Sequence, residues 1–186
     1  MTTLSEHSTQ GQDDNVEVAV YDTSELSDEY SDWDSLSDEE KLAVLEGEDP
    51  ETQFTEHNVT TNDYHGHLAD LANPNSSTTP LTASHIAFGN NRTAPSPSNS
   101  ALNNEQVRFE VTDKSVSGLE YQSITLLSSD QAVGVNLEEA GLFSAAAGGT
   151  MFNHVLLSED PLLEPKTQDY AVTIRINLQY KDASEV

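Results

Sequence analysis

The chain has 186 residues, with 33 acidic against 7 basic side chains, a formal net charge of −26 and no cysteine. That length holds one modest core rather than two, and so few lysines and arginines leave nothing to cluster on phosphate, which excludes nucleic acid as a partner. The missing cysteines exclude disulfides, thiolate chemistry and cysteine-bound zinc. A charge this high opposes compaction unless salt screens it, as it does when the Debye length falls to about 3 Å near 1 M, so the composition is that of a halophile's protein. The first residues show no basic and apolar leader, and no stretch approaches the roughly 18 apolar residues of a membrane span. The expectation is a soluble chain without membrane insertion and without conventional secretion.

Charge is uneven along the chain: 18 of the acids but only one base, Lys41, precede residue 57. Residues 1–54 therefore read as an acidic anchoring arm, with "VEVAVY" (Val16 to Tyr21) its first apolar run, too short to order by itself. Further on, in "SDWDSLSDEEKLAVLEGEDP", Ser37 and Glu40 fit a capping box, acids fill the first turn, and Gly47 and Pro50 follow the last leucine. This is a helix of about two turns. Trp33, Leu36, Leu42 and Leu45 form its sticky face, which docks on a partner or on the chain's own body.

Residues 55–104 follow as a helix and a Pro/Ser/Asn-rich loop region. "TEHNVTTNDYHGHLADLANP" predicts a Thr or Asn cap and a short helix bearing Tyr64, Leu68 and Leu71, stopped at Asn73-Pro74. The loop after it holds one apolar island, "HIAFG", a short strand.

At Val107 the period changes to two. "VRFEV" and "YAVTIRINLQYK" alternate apolar with polar residues, and between them "LEYQSITLL", "AVGVNLEE", "AGLFSA" and "TMFNHVLL" are separated by Gly- or Ser-containing turns. The pattern predicts five or six strands over 105–181, ahead of a tail at 182–186. The fold class is mainly β: a small antiparallel β-sandwich or jelly-roll-like domain with an extended acidic arm carrying short helices.

Catalytic and metal signals are weak. In "DYHGHLAD", His65 and His67 lie two apart beside Asp63 and Asp70, but that spacing diverges on a helix, and surface histidines are the expectation. Acidic pairs such as Glu39-Glu40 and Glu138-Glu139 lack the spacing of a calcium loop. No Gly-x-Ser-x-Gly is present, and no Ser-His-Asp order stands out. Sequons begin at Asn58, Asn75 and Asn91, which without a leader read as chance. We expect no enzyme and no cofactor.

Several pieces stand in a distinctive order. Ala87 and Gly89 lead to Pro95 and Pro97, then to Leu102, Glu105 and the strand residue Arg108; Glu139, Gly141, Leu142 and Phe143 run into a turn at Gly148 and Gly149, and a Val/Ile strand closes the set. Over residues 84–181 this order resembles a module of tailed-virus structural proteins, of the tail fibre or baseplate-associated type, including those of viruses of halophilic archaea. The resemblance implies a non-enzymatic virion protein with other virion proteins as partners, a homo-oligomer with a trimer favoured, and contact with a host surface glycan or protein. A capsid decoration or vertex-turret protein, or a carbohydrate-binding module, is the alternative. On the residues themselves, Leu142 and Phe143 point to opposite faces of a strand, so one fills the core and the other meets a neighbouring subunit, unless both belong to one two-sheet core. The expected interface is thus Trp33, Leu36, Leu42, Leu45, Leu142 and Phe143.

Overall fold

A computed structural model describes residues 15–179 except 31, 74, 76, 119 and 158–161. The first 14 residues of the expected arm and the expected tail at 182–186 lie outside the described residues.

The expected sandwich is present as two antiparallel five-stranded sheets. Among the described residues its strands are β1 (Asn15–Asp22), β2 (Thr52–His57), β3 (Val59–Thr60), β4 (His85–Gly89), β5 (Glu105–Glu110), β6 (Asp113–Ser117), β7 (Glu120–Leu127), β8 (Glu139–Phe143), β9 (Asn153–Leu156) and β10 (Tyr170–Gln179). Sheet A runs β2-β1-β10-β7-β6 and sheet B runs β3-β9-β8-β4-β5. At one side the chain crosses from sheet A to sheet B through Asn58, between β2 and β3; at the other it crosses back through Val111 and Thr112, between β5 and β6.

The first correction concerns the arm. β1 lies inside sheet A, pairing Val16 with Ile176 and Val20 with Val172 on one side and Val18 with Phe54 on the other. Residues 15–54 are therefore part of the sandwich, because "VEVAVY" alternates: Val16, Val18 and Val20 enter the core between the sheets, and Ala19 and Tyr21 face outward. The outward pair is covered by the chain that follows. Helix α1 (Thr23–Glu29), a 3-10 turn at Trp33–Ser35 and helix α2 (Asp38–Leu45) lie over sheet A, and Leu26, Trp33 and Leu45 pack on Ala19, Tyr21, Leu126 and Ala171. Asp22 caps α1 through Ser24 N at 2.7 Å. The predicted capping box of α2 is formed, with Glu40 N 3.3 Å from Ser37 Oγ and Ser37 N 2.9 Å from a Glu40 carboxylate oxygen.

Other differences are local. The predicted Thr-capped helix bearing Tyr64, Leu68 and Leu71 is present as α3 (Asn62–Leu71), with the Thr61 hydroxyl accepting from Tyr64 N, whereas the residues ahead of it, Thr52–His57, form the unpredicted β2. "AVGVNLEE" is mostly turn rather than strand, with Ala132 and Gly134 at positive φ. The unpredicted β6 is exposed at every residue, so neither face carries an apolar period to read.

Candidate functional site

The residues of the distinctive order converge on the outer side of sheet B. They form two hydrogen-bonded knots with a small apolar cluster between them.

Glu139 makes the first knot. It begins β8 and is fully buried, and its carboxylate accepts from Asn103 N at 3.0 Å and Asn104 N at 2.7 Å. His154 of β9, equally buried, places Nε2 2.9 Å from Glu139 Oε2 and Nδ1 3.1 Å from Asn99 Oδ1. Asn99 Oδ1 in turn accepts from Ser96 N at 2.6 Å. Burial pushes the His154 imidazole below its ordinary range, and the Glu139 carboxylate opposes that shift. The chain 90–104, which carries Pro95 and Pro97, is thus held to sheet B by side chains from two adjacent strands. Its far side is tied to α3, where Asn62 N donates to Pro97 O at 2.7 Å. Gly89 is required here, because a Cβ would lie 2.5 Å from Glu139 Oε1 and 2.6 Å from Asn104 O.

Arg108 makes the second knot. Its guanidinium sits 3.8 Å from the centre of the Phe143 ring, pairs with Glu105 at 2.6 Å, and donates to Ala145 O at 2.7 Å and Gly148 O at 2.9 Å. Beneath it, Phe143 packs with Ala87, Leu102 and Met151. Gly148 and Gly149 supply the positive φ that lets the 144–150 turn fold back within reach. A Cβ on Gly141 would lie 2.9 Å from Asn153 O.

A third buried polar group lies outside the distinctive order. Lys166 Nζ donates to Ser128 O at 2.9 Å, Ser129 O at 3.1 Å and Thr167 O at 3.2 Å. Burial lowers its pKa to about 8, opposed by Asp130.

The expected interface residues must be reassigned. Leu142 lies in the core between the sheets, and Phe143 lies on the opposite face as alternation predicts, but it is 1% exposed and covered by Arg108 and Leu102 of its own chain. Trp33, Leu42 and Leu45 are buried and Leu36 half-buried, with Trp33, Leu36 and Leu45 in the cluster over sheet A. Of the two docking surfaces considered for that helix, the chain's own body is the one occupied. Sequence reasoning missed Asn99 and His154. A lone histidine inside the apolar run "FNHVLL" was the available signal, since a buried imidazole needs a partner.

Glu139, His154 and Asn99 resemble a proton relay only in composition. Glu139 and His154 are fully buried, and their partners are each other, the backbone N–H groups of Asn103 and Asn104, and the side-chain amides of Asn99 and Asn103 in one loop, so the arrangement holds that loop. Among the described residues no three His, Asp or Glu side chains converge as a metal-ligand set, and His65 and His67 sit on α3. The class defined by fold and site is a β-sandwich with a helical cover and pinned loops over sheet B. No protein-family model, no curated protein and no solved structure matches this chain.

Proposed function

We propose that the chain is a non-enzymatic structural protein of a tailed-virus particle infecting a halophilic archaeon, sited in the tail fibre or baseplate. One observation carries this reading. The residues through which the sequence resembles such proteins come together over sheet B, Gly89 against Glu139, and Leu102, Glu105, Arg108 and the 148–149 turn around Phe143, with Gly141 beside Leu102. They hold two loops, 90–104 and 144–150, in fixed positions, which suits a protein that must present one shape to neighbouring subunits. The partners are other virion proteins and further copies of this chain, a trimer being favoured. With the apolar side chains of α2 and β8 occupied internally, the contacting surface is the outside of these loops.

The test is to locate a tagged copy on purified particles by negative-stain microscopy. Density at the tail tip or fibre is the expected result. Label on the capsid would move the protein to a decoration or turret role, and particles free of the protein would refute the reading.

A further inference from the structure

Acidic residues are distributed by face as well as by segment. Residues 22–51, which run from the end of β1 over sheet A to the start of β2, hold 13 of the 33 acids and one base, Lys41. Residues 71–104 and 140–157 hold no acid at all, where the chain's average would place about six and about three, so the gap marks a surface under a different demand. The two acid-free segments are far apart in sequence and adjacent in space. They supply β4, β9 and all of β8 after Glu139, three neighbouring strands of sheet B, together with both pinned loops, 90–104 and 144–150.

Glu105 and Glu139, the carboxylates that hold these loops, add no free charge to the face. Glu105 is gripped by Arg108 through Nε at 2.9 Å and Nη2 at 2.6 Å, and Glu139 is fully buried, accepting from Asn103 N and Asn104 N. One charge is left over. Arg92 is exposed in loop 90–104, and among the described residues no hydrogen bond or ion pair engages its guanidinium. Its backbone is nonetheless held, since Asn91 Oδ1 accepts from Thr93 N at 2.8 Å and Asn104 Nδ2 donates to Asn90 Oδ1 at 2.6 Å.

These features select a kind of partner. A contact face must give up water and ions, and a carboxylate left unpaired there is costly, so interface centres are depleted of acids and enriched in arginine. Near 1 M salt the Debye length of about 3 Å removes repulsion between the remote acids of two chains, and only charges at the contact itself decide. For a chain of net charge −26, the face without free carboxylates is where another acidic chain can approach. Loops fixed beforehand lose little freedom on contact. A basic partner is drawn instead to the cover of sheet A, with its 13 acids. A second copy of this chain brings the carboxylates that the unpaired Arg92 calls for. We infer that this side of sheet B is the face at which copies of this chain meet, with Arg92 of one copy set against carboxylates of the next. The inference rests on the proposed function for the need of copies to assemble, but its test uses no particles. Tail label with a chain that stays monomeric would sink this inference alone; a self-associating chain absent from particles would sink the virion reading alone.

The experiment measures the mass of the full chain by light scattering in concentrated KCl, over a rising series of protein concentrations. The wild type should exceed the mass of one chain. Arg92→Glu and, separately, Ala146→Asp should each move the association midpoint to a concentration about tenfold higher or more, because each sets an acid at the contact. Both positions are exposed, so the variants keep the fold, as unchanged melting temperatures will verify. Lys114→Glu changes the net charge as much as Arg92→Glu does, but it lies on the exposed strand β6 of sheet A and should leave association unchanged. The inference is overturned if the wild type stays monomeric throughout, if Arg92→Glu and Ala146→Asp associate as the wild type does, or if Lys114→Glu weakens association as much as Arg92→Glu.

Discussion

Replacing Glu139 with Gln keeps the volume of the side chain and removes its charge and one of its two acceptor oxygens. In the wild type those oxygens receive Asn104 N at 2.7 Å on one side, and Asn103 N at 3.0 Å with His154 Nε2 at 2.9 Å on the other. In either orientation, the carboxamide of Glu139→Gln points its NH2 at one or more N–H donors. Hydrogen bonds to a charged acceptor contribute about 1.5–3 kcal/mol each, and the variant weakens all three while leaving at least one donor unpaired, so the expected loss is about 2–4 kcal/mol. For a chain of this size each kcal/mol shifts the melting temperature by about 2–4 °C, which makes the expected fall roughly 10 °C. Thermal melts by circular dichroism in concentrated KCl measure it. Hydrogen exchange localises it, with the amides of Asn103 and Asn104 accelerated well before those of β10. A combination with His154→Leu should lose less than the two separate losses added, because the two side chains share one hydrogen bond. A fall of under about 2 °C, with unchanged exchange at Asn103 and Asn104, refutes the argument that Glu139 pins the loop.

Phe143→Ala removes a ring enclosed by Ala87, Leu102, Met151 and Arg108, so it should lower stability by about 3–5 kcal/mol without changing the mass measured by light scattering; a folded chain of altered oligomeric state would return Phe143 to an interface. Lys166 has a folded pKa of about 8 against an ordinary 10.5, so its contribution to stability is fully present above 10.5 and is lost as pH falls through about 8. The stability of the wild type relative to Lys166→Met should therefore be flat below pH 8 and rise between pH 8 and 10.5. Deleting residues 1–54 removes β1 from between β2 and β10 and exposes the inner strand β10, so circular dichroism should show no cooperative unfolding; a folded remnant would restore the division into arm and body. Stability should climb smoothly with KCl, since the net charge of −26 is screened by ionic strength, and a stoichiometric rescue by Ca²⁺ at low salt would count against screening as the cause.

What could be read from the sequence follows from how local the determining forces are. The capping box of α2 depends on Ser37 and Glu40 alone, and both the motif and the helix are present. The strand character of "VEVAVY" is equally local, but its place is not, because the partner of Val16 is Ile176, 160 residues away. Composition pointed the wrong way there: an acidic surface and a central strand coexist in one segment, since only alternate residues of β1 enter the core between the sheets. β6 was illegible for the opposite reason, pairing with β7 through its backbone while burying no side chain. In the site, Glu139, Gly141, Phe143 and Arg108 stood out by their order, yet their partners Asn99 and His154 did not. A hydrogen bond between a loop amide and a strand imidazole 55 residues apart leaves no periodic trace.

The edges of the two sheets bear on how copies of this chain can associate. An uncovered edge strand invites pairing with another chain, and charged side chains or very short strands deter it. β6 carries Asp113 and Lys114, β5 carries Glu105, Arg108 and Glu110, and β3 is only two residues long. The fourth edge, β2, has Glu56 and His57 at its end and runs directly into β3 across the corner at Asn58. The β2, β5 and β6 edges thus carry charged side chains and the β3 edge is minimal, which disfavours growth by strand addition. Oligomerisation of the kind the proposed function requires must then use side-chain surfaces, and the loops pinned by Glu139 and Arg108 are the ones whose shape is fixed before any neighbour arrives. Loosening them through Glu139→Gln should accordingly weaken assembly even where the sandwich remains folded, an outcome separable from global destabilisation by comparison with Val18→Ala, which opens a cavity in the core between the sheets and leaves the loop contacts in place.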